Sequence, residues 1–375
     1  MEVAPSVSQA VPRARRSGRR LAWIGKGLLW LIAALALVTL VRDFFQDPAL
    51  FVQIIISGLQ LGFVYALIAL GYTMVYGIVK LINFAHGDVF MVGSFVSFYA
   101  VARFQLHIWP AALFPNLPHI WVVLIGSTTV VLLSMLVCAI MAIVIERTAY
   151  KPLRDAPRIA ALITAIGVSF FLEFFGALGF VFSPRFIPYQ RPFDVVTWYF
   201  HDGFYLVRPG HSPPDNSITF SNIFLLIIAA SVLMQLLLQF LVRHTKIGKA
   251  MRAASFDKPT ARLMGINVDG VISFTFAIGA AFAGLGGVLY AIAYSSIWTQ
   301  LGILPGLKAF VAAVLGGIGS IPGAFVGALI MGQAEALTMG YISTPMRDAV
   351  AFAILILVLL IRPTGIFGEP EKEKA

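Results

Sequence analysis

Apolar residues fall in long blocks separated by short polar segments. A helix rises 1.5 Å per residue, so about 20 mostly apolar residues cross the hydrocarbon of a bilayer. Blocks of that kind run over Ala49–Leu70, Trp121–Ile145, Ile159–Phe182, Ser221–Val242 and Gly270–Tyr294. Shorter ones occupy Val89–Ala102 and Met346–Ile361. The stretch Gly306–Gly340 is apolar but broken by Gly316, Gly317, Gly319, Pro322 and Gly323. It predicts two segments joined by a tight turn, which either both span or form a re-entrant hairpin buried in protein. A further apolar run, Leu21–Val41, follows the cluster Arg13, Arg15, Arg16, Arg19 and Arg20. No small-x-small cleavage site follows it, so it reads as a retained anchor helix rather than a cleaved signal. The pattern predicts an all-α polytopic membrane protein with about eight to ten transmembrane helices. Its parts are a basic tail (1–20), an extra anchor helix and linker (21–48), a transmembrane domain (49–368) and a charged tail (369–375).

Composition narrows the class. The 375 residues are 59% hydrophobic and 12% charged, against roughly 25% charged in soluble domains. Mean hydropathy is +0.89. So much apolar surface does not fit inside a water-soluble fold of this length, and it excludes disorder. The single cysteine, Cys138, permits no intrachain disulfide and no cysteine metal site; it reads as a packing residue. The net charge of +10 sits in short loops between apolar blocks, which points to lipid headgroups and topology and not to nucleic acid.

Loop charge gives an expected orientation. The N-terminal arginines with Lys26, the loop Glu146–Arg158 (Arg147, Lys151, Arg154, Arg158) and the loop Arg243–Asp269 belong on the cytoplasmic side. Ala102–Ile120 carries only Arg103, and in Ser183–Phe220 Arg185, Arg191 and Arg208 are balanced by Asp194, Asp202 and Asp215. The aromatic content of that second loop suits a cap on the outer face. An even number of crossings then places both termini in the cytoplasm.

Several segments carry candidate chemistry. In Arg243–Asp269, Ile247, Met251 and Ala254 form an apolar stripe at helical spacing, flanked by Lys246, Lys249 and Arg252. Pro259 suits a helix first turn, so two short helices are expected to meet near Asp257–Pro259 and to end at Gly265. The stripe either lies on anionic lipid or docks into a partner's groove. In LINFAHGDVF, Asn83, His86 and Asp88 cluster between apolar blocks. They form either a broken helix or polar latch in the pathway, or an interfacial turn with Asp88 capping the helix Val89–Ala102. Glu173 and Glu335 sit inside apolar blocks, where a charge facing lipid costs at least about 2.5 kcal/mol, so both are expected to face the interior. Gly317, Gly319 and Pro322 mark non-helical backbone near a pathway. Small residues four apart, such as Gly279, Ala283 and Gly287, allow close helix packing. No metal-ligand spacing, Ser-His-Asp order or close carboxylate pair suggests catalysis. No G-x-x-x-x-G-K-[ST] is present, so ATP hydrolysis by this chain is not expected; that also suits a stand-alone small-solute channel with Gly316–Gly323 as filter.

Four segments together resemble the permease subunits of branched-chain amino acid ABC transporters. They are Gly58–Phe95, ERTAYKPLR (Glu146–Arg154), the loop Arg243–Asn267 with the following GVISFTFAIGAAFAGLGGVLYA, and Arg347–Gly368. The resemblance covers about Val52–Gly368; residues 1–48 lie outside it. It implies a subunit of the bacterial inner membrane that binds no cofactor itself. It also implies a second, similar permease, two cytoplasmic ATP-binding subunits that use the ATP, and a periplasmic solute-binding protein. Ile247, Lys249, Met251, Arg252, Ala254, Asp257 and Gly265 would belong to the loop that couples to the ATPases. The substrate is left open, because permeases for urea, short amides and aromatic acids are similar.

Overall fold

The computed structural model describes residues 38–368 apart from 40, 155, 208–210 and 215, and apart from the side chain of Arg158. The arginine-rich tail, Lys26, most of the anchor run Leu21–Val41, Arg208, Asp215 and the 369–375 tail lie outside the described residues. The chain divides into two units, Met1–Val52 and Gln53–Ala375. In the first, residues 41–46 are helical, Arg42 pairs with Asp43 at 2.9 Å, and Asp47 accepts a hydrogen bond from the Leu50 amide at 2.9 Å. Asp47 followed by Pro48 is a helix start: a side-chain acceptor, then a residue with no amide to lose.

Helix α1 runs over Pro48–Val79, α2 over His86–Ala102, the short α3 over Trp109–Leu113, α4 over His119–Ile145 and α5 over Arg158–Gly176. Next come α6 (Asn222–His244), α7 (Lys246–Phe256), α8 (Lys258–Leu263) and α9 (Val268–Tyr294). Last are α10 (Ile303–Gly316), α11 (Ile321–Tyr341) and α12 (Met346–Ile361). Among the described residues six stretches are long and apolar enough to cross a membrane, corresponding to α1, α4, α5, α6, α9 and α11. The protein is an all-α polytopic membrane protein, with α2, α10 and α12 as shorter helices packed among the long ones.

Within the second unit, burial sorts centre from rim. Over their most apolar windows α1 and α9 are 72% buried, α4 and α5 only 22%, and α6 17%. The first two form the core; the other three offer wide apolar faces to lipid or to another protein. Helix α9 packs against α4 and α2. The backbones of α2 and α9 approach closely at Gly93, where a Cβ would stand 2.6 Å from the Gly284 Cα of α9. Buried hydroxyls tie helices together by donating to carbonyls of their neighbours: Ser94 to Gly287 at 2.9 Å, Ser134 to Gly93 at 2.8 Å and Ser231 to Phe63 at 2.9 Å. Such bonds average about 0.6 kcal/mol each in membrane proteins.

Helices α10 and α11 are the two halves of the glycine-broken stretch. The turn between them holds Gly317 and Gly319 at φ of +107° and +99°, which side-chain-bearing residues rarely adopt. Ser320 then caps α11 through the Gly323 amide, with Pro322 in the first turn.

Several boundaries differ from the sequence reading: α1 continues past Leu70 to Val79 and α2 begins at His86 before Val89. The block Ile159–Phe182 stops being helical at Gly176, and Ala177–Phe182 forms turns. The loop Ser183–Phe220 is not merely aromatic cap but builds strands. These are β1 (Ile187–Pro188), β2 (Thr197–Phe200), β3 (Phe204–Leu206) and β4 (Ile218–Ser221). Strand β2 lies between β3 and β4, all antiparallel, with Tyr199 opposite Tyr205 and Trp198 opposite Phe220. Strand β1 pairs with β5 (Ser296–Ile297), which places the segment after α9 beside this loop.

Candidate functional site

At the end of the bundle where α1 finishes, the basic loops fold against one another. Helices α7 and α8 meet at Asp257, which caps α8 through the Thr260 amide. Pro259 stands in the first turn, and Gly265 (φ +81°) follows the second helix. Lys258 donates to the Val79 carbonyl at 3.1 Å. Partial burial, then the Arg154 and Arg262 cations, hold its ammonium below the ordinary lysine range.

The stripe on α7 points differently from its sequence reading. Met251 and Ala254 are buried, facing the bundle, so they are closed to lipid or partner; only Ile247 of the three is exposed. The helix packs its apolar face onto α6 and α9. The outward apolar groups are instead Phe256, Leu263 and Met264, each at least 78% exposed. Lys249 and Arg252 are also exposed.

The segment Glu146–Arg154 continues α4 as a π-helical turn and a short 3-10 turn. Arg154 makes a short ion pair with the fully buried Glu146 and a 2.6 Å pair with Asp269 in the first turn of α9. Asp269 also receives Lys151 at 2.9 Å and Arg262 of α8 at 3.4 Å. Glu146 accepts from Ser273 at 2.6 Å. One aspartate thereby joins three segments. The Tyr150 hydroxyl donates to Asn83 at 2.6 Å, and Asn83 also accepts from the Ala85 amide. The polar cluster before α2 is thus locked to this region.

Asp88 does not cap the helix as one reading of the sequence held. The helix begins at His86, with Ala85 at the capping position and no side-chain cap. Asp88 instead lies in the first turn, buried, and accepts a short hydrogen bond from Ser169 of α5. Glu173 interacts with it from one turn further along α5. This is the close carboxylate pair absent from the sequence reading, invisible there because 85 positions separate the two residues. His86 is buried against Gly71, with its ring 4.8 Å from that of Tyr72.

Toward the strand-bearing end lies a cavity of about 740 Å³. Its charged floor was not read from sequence beyond Glu335. Lys308 of α10 is buried, 2.6 Å from Glu335 of α11 and 2.6 Å from Asp348 of α12. Tyr65 of α1 donates to Glu335 at 2.9 Å. Arg347 lies 3.8 Å from Glu335 and is partly exposed to the cavity. Gln53, Ser57, Gln60 and Gln300 add neutral polar wall. Lys308 is legible in the sequence as a cation inside an apolar block, the same signal that singles out Glu335. Gly317, Gly319 and Pro322 are away from this cavity: Gly317 packs on Gly368 and Gly319 faces Gly77, at the basic end. Among the described residues no group of three or more His, Cys, Asp or Glu side chains has metal-holding geometry.

Comparison with known proteins gives a consistent relationship. The family model described as "Branched-chain amino acid transport system / permease component" matches residues 54–359. The chain is 43% identical over 324 residues to the high-affinity branched-chain amino acid transport system permease protein LivH of Escherichia coli, covering 86% of this chain and 97% of that one. It is 40% identical to the corresponding permease protein BraD of Pseudomonas aeruginosa, covering 86% and 98%. A probable branched-chain amino acid transport permease protein of Methanocaldococcus jannaschii is 26% identical over 80% of this chain. No solved structure matches.

Proposed function

Because the chain belongs to the family of branched-chain amino acid transport system permease components, we propose that it is the transmembrane subunit of a binding-protein-dependent importer. Its cargo is a branched-chain or related amino acid, moved across the bacterial inner membrane by alternating access. It binds no cofactor itself; ATP is used by two cytoplasmic partner subunits, a second permease completes the pore, and a periplasmic protein delivers the solute. The basic end faces the cytoplasm with both termini, and the strands face outward.

The observation that carries this reading is the clamp on Asp269. Helices α7 and α8 are short and would not hold a position alone. Arg262, Lys151 and Arg154 converge on Asp269 and fasten α8 and the Glu146–Arg154 segment to the start of α9. A push on exposed Leu263 and Met264 therefore reaches one of the two core helices of the bundle. Nucleotide shifts the equilibrium between inward- and outward-open states only by its differential affinity for them.

The large cavity supports an amino acid over a neutral amide or urea. It presents carboxylate and cation together, Glu335 beside Lys308 and Arg347, a polarity matched to a zwitterion.

Affinity purification of the assembled complex tests the proposal. Leu263→Asp with Met264→Asp should release the ATP-binding partner while the permease stays monodisperse, and Lys246→Asp, on an exposed flank, should weaken the association less. Retention of the partner by the Leu263/Met264 variant would contradict the assignment of this face.

A further inference from the structure

A second, smaller cavity lies between α2, α5 and α10, with a volume of about 200 Å³. One wall is acidic: Asp88, Glu173 and the hydroxyl of Ser169. The rest of the lining is apolar: Ile166 and Phe170, on the same face of α5 as Ser169 and Glu173, and Leu307 of α10. Asp88 is 2% exposed and Glu173 5%. Ser169 satisfies one oxygen of Asp88; the other, Oδ1, is buried and, apart from the neighbouring Glu173 carboxyl, has no hydrogen-bond partner. Among the described residues no lysine, arginine or histidine is ion-paired with either carboxyl group. Adjacent carboxylates away from water repel, so the pair either shares a proton or is joined by a cation. A buried acceptor aimed into an open space, beside a second acid, is a place built for a donor that is not part of the chain.

The surroundings say which donor. A water takes about 30 Å³, so the space suits a small amino acid and not a peptide. The apolar wall accepts an aliphatic side chain. The cavity also shares a wall with the larger one: Ile303, in the first turn of α10, lines both. That turn is held by close contact of Gly302 and Gly306 with Gly87, immediately before Asp88. The first turn of α10 thus separates the larger cavity from the acidic pair.

We infer that this cavity is a transit site for the primary ammonium group of a small aliphatic solute, with Asp88 and Glu173 as its counter-charges. The inference rests on the importer reading and names a station within it. Ser169 is a positioning residue that aims Asp88; Ile303 is the barrier between the two spaces.

The test places a thiol in the cavity of the full chain, in the assembled transporter, by Ile166→Cys. The native Cys138 is fully buried and stays silent. Two methanethiosulfonate reagents of similar size are compared, aminoethyl (cationic) and sulfonatoethyl (anionic). The cationic reagent should react at least tenfold faster. Leucine should slow it, and 4-methylpentanoate, which has the same skeleton without the amine, should not. Asp88→Asn and Glu173→Gln, each added to Ile166→Cys, should abolish the preference. Equal rates, no reaction with either reagent, a preference that survives both substitutions, or no protection by leucine would each overturn the inference. Should either double variant fail to assemble, the reagent ratio and leucine protection in Ile166→Cys alone still decide. Failure of the importer reading would appear separately, as absence of ATP-driven uptake by the unmodified assembly.

Discussion

Arg154 and Asp269 lie 2.6 Å apart, and the same guanidinium reaches the fully buried Glu146. The arginine therefore does two jobs of different weight. Its contact with Asp269, a partly exposed group, contributes no more than about 1 kcal/mol. Its contact with Glu146 neutralises a charge that water does not reach.

Arg154→Met should accordingly destabilise the protein by about 3–5 kcal/mol, the range for removing one partner of a buried pair. Asp269→Asn should cost about 1 kcal/mol or less, yet lower the uptake obtained per ATP by loosening α8 from α9. Thermal unfolding in detergent and coupled transport assays separate the two effects. Glu146→Gln added to Arg154→Met should restore most of the lost stability, and absence of that rescue would contradict the role given to Glu146.

The pair in the large cavity makes a parallel case. Lys308→Met leaves Glu335 buried without its nearest cation and should cost about 3–5 kcal/mol. Lys308→Met with Glu335→Gln removes both buried charges and should recover most of the lost stability, Asp348 being part-exposed and keeping Arg347 at 3.5 Å. If the pair also orients the solute, that stable double variant will transport poorly. Unfolding midpoints and leucine uptake on the same preparations check both halves.

Lys258 provides a pH dependence with a definite sign. Its ammonium loses protons more easily in the folded protein than in the unfolded chain, because of burial and the neighbouring Arg154 and Arg262. Between the lowered value and the ordinary one near 10.4 the unfolded state binds more protons, so stability rises with pH across that window. Relative to Lys258→Met, the native protein should gain thermal stability as pH is raised toward 10. A flat difference between the two would count against the burial of this group.

Much of the architecture is legible in the chain. Met346–Ile361 is helical over the residues that the apolar pattern marks, since Pro345 and the Arg362-Pro363 pair leave no room for extension. Asp257–Pro259 announces the junction of α7 and α8 because a side-chain acceptor followed by proline is local chemistry. The glycine density of Gly316–Gly323 likewise announces its turn. What stays hidden is long-range. Periodicity tells that Met251 and Ala254 share a face, but not that the bundle covers it. Nor does it bring Asp88 to Glu173, Arg154 to Asp269, or Lys308 to Glu335 and Asp348. The β-strands of the 183–220 loop escape because they are short and depend on pairing with each other and with Ser296–Ile297.

The central claim is that this chain is a conduit whose energy comes from companion subunits acting on α7 and α8. The most direct measurement is leucine accumulation in proteoliposomes, with the chain alone and with its permease, ATP-binding and solute-binding partners. The account predicts concentrative uptake only in the complete assembly with ATP. Accumulation against a gradient by the isolated chain, with no nucleotide hydrolase present, would contradict it.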